Sequence, residues 1–107
     1  MRRGEVWWVN FDPSLGEETQ KTRPAVIISN DLSNKFLGRL QVVPLTSKVE
    51  KLYPGEAYVT LNDNQHKAMA DQITTVSKKR FSNRAGQVTK SDMQAIERAI
   101  RVQLDLK

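Results

Sequence analysis

Pro24 separates a polar segment from an uncharged apolar one, and this boundary limits what the chain can fold into. The ring of a proline clashes with helical backbone at the preceding residue, so we expect extended backbone at Arg23. Because proline has no N–H to give to a sheet, Pro24 should open a strand and not lie inside one. The run that follows, residues 25–29, is apolar and contains valine and two isoleucines. That composition predicts a buried strand.

Several further short segments, bounded by turn residues, show β composition. The first of them, residues 5–11, carries apolar side chains on both faces, which predicts a strand covered on two sides. Within residues 40–47, Pro44 indicates an edge or a bulge. The sequence predicts a turn with one helical turn at 30–38, a turn at 62–66, and a connector with one 3₁₀ turn at 77–81. Predicted strands are 5–11, 25–29, 40–47, 56–61, 67–70, 72–76 and 86–88.

The end of the chain has helical periodicity. Met93, Ile96, Ile100 and Leu104 recur at helical spacing and predict one apolar face. Two N-terminal caps compete: Ser91 followed by Gln94 matches a capping box, and Thr89 followed by Asp92 has the same spacing.

These elements predict a mainly β fold with a C-terminal helix, a small, strongly curved β-barrel or half-barrel against which the helix packs. The length of 107 residues indicates one domain over residues 1–107.

The charge balance favours anionic partners. Lys and Arg number 17 against 12 Asp and Glu, a formal net charge of +5. A basic small domain favours nucleic acid first, and the alternative is a surface tuned for solubility. We expect no metal and no cofactor, because the chain has no cysteine, a single histidine and no phosphate-binding glycine motif. With no signal peptide and no membrane-length apolar run, a cytoplasmic location is expected.

Arg23 is the first candidate functional residue. Its planar donor fork lies at the mouth of a strand, beside a loop that carries Glu17, Glu18 and Lys21. A rigidly held guanidinium is well suited to gripping a phosphate. The alternative is an ordinary rim arginine paired with one of those glutamates.

Polar residues at other strand ends are further candidates. Thr46 and Ser47 end a strand next to Lys48, where their hydroxyls can donate to phosphate oxygens, or can simply begin a turn. Gln72 can contact a base edge or the RNA backbone. The one histidine, His66, is predicted to be a solvated turn residue without a catalytic role. Candidates for base stacking are Trp8, Phe36 and Tyr53, of which Trp8 is more typical of a core.

The chain resembles the MazF/PemK family of toxin endoribonucleases over nearly its whole length. The matching blocks follow the family's order with close to its spacing. They are Arg3-Gly4-Glu5-Val6-Trp7, Gly16-Glu17-Glu18, Arg23-Pro24-Ala25-Val26-Ile27-Ile28-Ser29, Val43-Pro44-Leu45-Thr46-Ser47, Asp71-Gln72-Ile73 and the terminal helix.

The resemblance implies a homodimer of SH3-like barrels, similar to CcdB and MazF, that cleaves single-stranded RNA without a metal. It implies 2′,3′-cyclic phosphate and 5′-hydroxyl ends and neutralisation by a cognate acidic antitoxin. The family's catalytic residues fall on Arg23, Thr46 and Glu18. We assign RNA contacts to Ser47, Lys48, Gln72, Lys21 and Gln20.

The chemistry fits these residues. Attack by the 2′-hydroxyl builds negative charge on phosphorus, which a guanidinium stabilises through paired hydrogen bonds. Glu18 is a possible base, whereas Arg23 holds its proton too tightly to be a good acid. Two alternatives remain at this point: a non-catalytic CcdB-like toxin that inhibits a protein such as DNA gyrase, and a passive RNA-binding module.

Overall fold

The computed structural model describes residues 1–11 and 22–107. Within them the chain forms strands, two α-helices and two 3₁₀ turns. The strands are β1 (Glu5–Asn10), β2 (Thr22–Ile27), β3 (Arg39–Thr46), β4 (Glu56–Leu61), β5 (Asn64–Met69), β6 (Thr74–Ser77) and β7 (Phe81–Gln87). The helices are α1 (Asp31–Phe36) and α2 (Lys90–Leu104), and the 3₁₀ turns are Ala70–Gln72 and Lys78–Arg80.

Antiparallel pairs join the strands in the order β4-β5-β3-β2-β1-β7, with β6 also paired to β3. β3 is the shared strand. One of its edges pairs with β2, and the other pairs first with β6 and then, from Leu45, with β5. This confirms the predicted mainly β half-barrel with a C-terminal helix.

Pro24 and Pro44 stand where pairing to β3 stops. Ile28 donates its N–H to the carbonyl of Gln41, so alternate residues of β2 and β3 face each other's backbone. By that alternation the nitrogen of Pro24 faces β3, and the β2–β3 ladder ends one residue later, at Ala25 opposite Pro44. The prediction that Pro24 opens its strand is wrong. β2 begins two residues earlier, because pairing with β1, Trp8 opposite Pro24, continues on the other edge.

Pro44 lies in the central strand β3, between the end of its pairing with β6 and the start of its pairing with β5. Its nitrogen faces away from β2 by the same alternation. On that edge the last pair with β6 is Val42 with Thr74, and the first pair with β5 is Leu45 with Ala68. A residue without an N–H is tolerated there because no paired strand lies opposite it.

The sheet is covered on both faces. Val6 and Val9 of β1 are fully buried but belong to different clusters, as predicted for a strand enclosed on two sides. The larger cluster joins β1–β5 to α2, where Ile96 is fully buried. The smaller cluster lies on the opposite face and includes Ile27 and Leu40.

Arg3 ties the start of the chain to two distant elements. Its N–H donates to Asp31 Oδ1 at 2.7 Å, its Nε to the carbonyl of Ile28 at 2.9 Å, and its Nη2 to Glu97 Oε2 at 2.9 Å. The first of these bonds holds the pKa of the Asp31 carboxyl below its ordinary value. These contacts fix α1 and α2 relative to the first strand.

Two strands extend well into segments that the sequence did not predict to be strand. β5 begins at Asn64, inside the predicted turn, and β7 extends from Phe81 to Gln87, where only residues 86–88 were expected to be a strand. Both added segments are mostly polar. Pairing with a neighbouring strand, β4 or β1, holds them extended although they lack an alternating apolar pattern. In the described part of the chain, no helix is both long and apolar enough to cross a bilayer.

The structure resolves the competition between the two helix caps in favour of Thr89. Its side-chain oxygen accepts a hydrogen bond from Asp92 N at 3.0 Å, and the helix begins at Lys90. Of the predicted apolar face, Met93 and Ile96 are buried and Leu104 is 47% exposed.

We therefore expect Thr89→Ala to lower the free energy of unfolding by about 1 kcal/mol, because one N–H of the first turn loses its partner. Ser91→Ala is the matched control: it should leave stability unchanged or raise it slightly, since alanine has the higher helix propensity. Urea denaturation of both variants measures the difference, and a larger loss for Ser91→Ala would contradict the assignment of the cap.

Candidate functional site

A cavity of about 310 Å³ opens beside the start of β2 and the end of β3, where the pairing between these two strands stops. Four parts of the chain converge on it: β1, β2, the end of β3 with its following loop, and β5. Its lining consists of Trp8, Arg23, Pro24, Leu45, Thr46, Ser47, Lys48 and His66.

The cavity follows from the position of Pro24. A residue with an N–H there would be placed to extend the β2–β3 ladder to Leu45. Proline cannot donate, so the β2–β3 ladder ends at Ala25, and Leu45 and Thr46 pair with β5 on their other edge. The start of β2 and the end of β3 are thus left as two unjoined walls with space between them.

Arg23 lies on one wall with its side chain exposed. Its backbone is fixed opposite Val9, which is fully buried, so the guanidinium projects from a rigid part of the sheet. Among residues 1–11 and 22–107, no carboxylate lies within ion-pair distance of it. The alternative pairing with Glu17 or Glu18 falls outside the described residues.

Thr46 lies on the other wall, and its hydroxyl already has one defined contact. The Thr46 Oγ1 accepts a hydrogen bond from Lys48 N at 3.2 Å, so the residue does begin a turn. Because a hydroxyl that accepts a bond still carries its own hydrogen, Thr46 remains able to donate to a ligand oxygen. The turn also brings Ser47 and Lys48 to the cavity.

The three aromatic candidates are separated in the structure. Trp8 lines the cavity and is 40% exposed, so it is not a core residue in the described part of the chain. Phe36 lies on α1 and Tyr53 lines a different cavity, beside α2. Trp8 is therefore the aromatic side chain that can stack on a base held near Arg23.

Gln72 does not line this cavity. Gln72 lies in a 3₁₀ turn, where its Nε2 is 3.5 Å from Met69 Sδ. Glu18, Gln20 and Lys21 lie outside the described residues. Their roles remain predictions.

His66 was wrongly predicted to be in a turn. It belongs to β5, opposite Val59, is half-buried, and lines the same cavity as Arg23 and Thr46. The residues around it in sequence are polar, so local composition gives no strand signal. The alternation of His66 with the buried Ala68 is the one pattern that could have indicated an inward-facing position.

A buried lysine holds the loop that carries Lys48. Lys67 is 6% exposed; its Nζ donates to the carbonyl of Lys51 at 2.5 Å and to Glu56 Oε1 at 2.9 Å. Its ammonium also lies 5.6 Å from the centre of the Tyr53 ring. These contacts anchor residues 47–55, one boundary of the cavity, to β5.

The chemistry of the cavity lining is cationic and hydroxylic. Three other cavities in the described part of the chain each include an aspartate or glutamate, whereas this one has Arg23 and Lys48 and no described carboxylate. Within residues 1–11 and 22–107, no three His, Asp or Glu side chains lie close enough to hold a metal ion. The arrangement is suited to binding an anion beside an aromatic surface.

Comparisons with known proteins give a consistent family. Residues 2–104 match the model of the PemK-like, MazF-like toxins of type II toxin–antitoxin systems. The chain is 36% identical to endoribonuclease MazF9 of Mycobacterium tuberculosis, an alignment that covers 99% of this chain and 98% of the relative.

Solved structures share the fold. An endoribonuclease from a mycobacterial species, in complex with its cognate antitoxin, superposes with a TM-score of 0.84 at 24% identity, over 100% of this chain and 97% of that one. MazF from Deinococcus radiodurans gives 0.81 at 22% identity, over 98% and 96%.

We predict that Lys67→Met destabilises the protein by roughly 3–5 kcal/mol, because it leaves the nearly buried Glu56 carboxylate without its counter-charge. Lys51→Met is the matched control. It removes the same charge from the same region, but Lys67 contacts only the backbone carbonyl of Lys51, so stability should change by less than about 0.5 kcal/mol. Thermal or urea unfolding of both variants tests this, and equal losses would contradict the anchoring role.

Proposed function

Because the chain belongs to the PemK-like, MazF-like toxins of type II toxin–antitoxin systems, we propose that it is a sequence-preferring, metal-independent endoribonuclease. It acts in the cytoplasm, as one domain over residues 1–107, and cleaves single-stranded RNA to 2′,3′-cyclic phosphate and 5′-hydroxyl ends. The observation that carries the proposal is the meeting of Arg23 and Thr46, from different strands, in one cavity whose described lining contains no carboxylate.

In this reaction the 2′-hydroxyl oxygen attacks the adjacent phosphorus and the bond from phosphorus to the 5′-oxygen breaks. Negative charge grows on the non-bridging oxygens in the transition state. Arg23, held on rigid backbone, faces that charge with two parallel N–H groups, and the Thr46 hydroxyl donates to a neighbouring oxygen. Neither group has to move far to do so, which is what makes such stabilisation effective.

The proton of the 2′-hydroxyl needs an acceptor, and Glu18 is our candidate. It stands five residues before Arg23 in the sequence, in the segment outside the described residues. A carboxylate can take the proton as the oxygen–phosphorus bond forms. Gln20 and Lys21, in the same segment, are assigned to contacts with the RNA.

Binding of the strand uses the rest of the cavity. Trp8 offers a partly exposed ring for base stacking, and Lys48 and Ser47 can hold the phosphate on the far side of Thr46. Gln72 contacts a base further along the strand. A stacked base and several phosphate contacts bind any sequence, so the preference for particular bases must come from additional contacts.

The toxin is neutralised by a cognate antitoxin, and we propose that an acidic tail of that protein enters the same cationic cavity. The overall charge of +5 favours such a partner. We also propose that the active form is a homodimer, as the resemblance to the family implies.

The lining of the cavity favours an enzyme over a non-catalytic inhibitor of a protein such as DNA gyrase. A protein-binding surface has no need for a guanidinium and a hydroxyl on facing walls beside an aromatic ring. A passive RNA-binding module could use these groups, but it would bind RNA without producing ends.

We expect Arg23→Ala to lower the cleavage rate about 10²–10³-fold, since one preorganised donor to the developing charge is lost. Arg23→Lys should also be poor because an ammonium cannot make the paired contact. Arg39→Ala is the matched control: it removes an exposed strand arginine at the opposite end of β3 and should cleave at the wild-type rate. Wild-type rates from a folded Arg23→Ala protein would refute the assignment.

The source of the nucleophile gives a second test. A substrate with hydrogen in place of the 2′-hydroxyl at the scissile nucleotide should bind but not be cut, and wild-type cleavage of ordinary RNA should persist in excess EDTA. End mapping and a binding titration measure both. Cleavage of the 2′-deoxy substrate, or activity that is lost in EDTA and returns with Mg²⁺, would overturn the mechanism.

A further inference from the structure

The proposed reaction still lacks a donor for the proton that the 5′-oxygen must gain as it leaves. An alkoxide is a poor leaving group in water, so a positioned acid accelerates this step. Arg23 is a poor acid because a guanidinium does not readily give up its proton. Among the residues that line the cavity, His66 is the one whose side chain type ordinarily changes charge near neutral pH.

A hydrogen bond to the backbone fixes which ring nitrogen of His66 carries the hydrogen when the ring is neutral. Nδ1 lies 3.2 Å from the carbonyl oxygen of Asn64. Because a carbonyl can only accept, Nδ1 must carry the hydrogen in this bond. The other nitrogen, Nε2, is then left to gain or lose a proton while the ring stays in place.

Within residues 1–11 and 22–107, three elements place residues around His66. β4 places the uncharged Val59 opposite it, Arg23 lines the cavity from β2, and Lys48 lines it from the loop after β3. The adjacent Lys67 is paired with Glu56 and does not line this cavity. His66 therefore lines the same cavity in which Arg23 and Thr46 would hold a phosphodiester.

We propose that His66 is the general acid of the cleavage reaction, a role that rests on the proposed ribonuclease function. The bond from the 2′-oxygen to phosphorus forms while the 2′-proton passes to Glu18. As the bond from phosphorus to the 5′-oxygen breaks, its electron pair stays on that oxygen and takes the proton from Nε2. The products are the cyclic phosphate, the 5′-hydroxyl and a neutral imidazole whose Nδ1–H still donates to Asn64.

The test uses a substrate that does not need an acid. In RNA with sulfur in place of the bridging 5′-oxygen, the leaving group is a thiolate, which is stable without protonation. His66→Asn removes the acid, while its side-chain amide can keep the donor to the Asn64 carbonyl. We expect His66→Asn to cleave ordinary RNA about 10²–10⁴-fold more slowly than wild type, and to cleave the 5′-thio substrate within a few-fold of wild type.

Arg23→Ala is the comparison variant, because it acts on charge and not on the leaving group. It should be slow on both substrates. If His66→Asn is equally slow on both substrates, or equally fast as wild type on both, the proposal is overturned. His66→Gln repeats the measurement should the asparagine variant fail to fold, as judged by circular dichroism.

The pH–rate profile is an independent readout. An acid must be protonated to act, so wild-type cleavage of ordinary RNA should fall on the basic side of the optimum, and that limb should be missing for the residual activity of His66→Asn. His66 is the single histidine of the chain, so no other histidine can cause this fall in rate on the basic side. An unchanged basic limb in the variant would refute the role.

Failure of the wild type to cut either substrate would instead overturn the ribonuclease proposal and this inference with it.

Discussion

The site depends on where pairing to β3 is interrupted. Pro24 faces β3 without an N–H, so the β2–β3 ladder ends at Ala25 opposite Pro44, and Pro44 itself lies in the gap where β3 leaves β6 and joins β5. The two breaks let one strand serve two parts of a curved sheet. They also leave Arg23 and Thr46 on separate walls with a cavity between them. A continuous ladder would have filled the same space with backbone hydrogen bonds.

Each of the two walls of this cavity is held in place by a neighbouring strand. The strand that carries Arg23 is paired to β1, whose Val9 is fully buried. The loop after Thr46 is held by Lys67, whose nearly buried ammonium donates to a backbone carbonyl and to the Glu56 carboxylate. Burying such a pair contributes little net stability, but it fixes geometry, because either charge left alone would be strongly unfavourable. The buried pair of Lys67 and Glu56 thus holds one wall of the cavity in position.

Two kinds of chemistry are separated in this arrangement. Groups that are charged or polar at all working pH values, Arg23 and Thr46, are suited to stabilising the phosphate. The 2′-oxygen loses a proton and the 5′-oxygen gains one, so these two steps need groups that exchange protons. We assign the first to Glu18 and the second to His66. The division is physically reasonable because a good stabiliser of an anion must keep its proton, whereas an acid must give it up.

The sequence by itself predicted the mainly β fold, the bounds of β4 and the terminal helix, and it singled out Arg23 and Thr46 as candidate site residues. These features rest on local properties: apolar periodicity, proline stereochemistry and short motifs. Only the tertiary structure decided which of the two caps, Thr89 or Ser91, begins the helix. It alone showed that residues 81–85 form a strand and that Lys67 is buried, and it alone placed His66 in the cavity that Arg23 lines. The strand, the buried lysine and the position of His66 depend on which strand lies alongside, and a mostly polar segment carries no local pattern that identifies its neighbour.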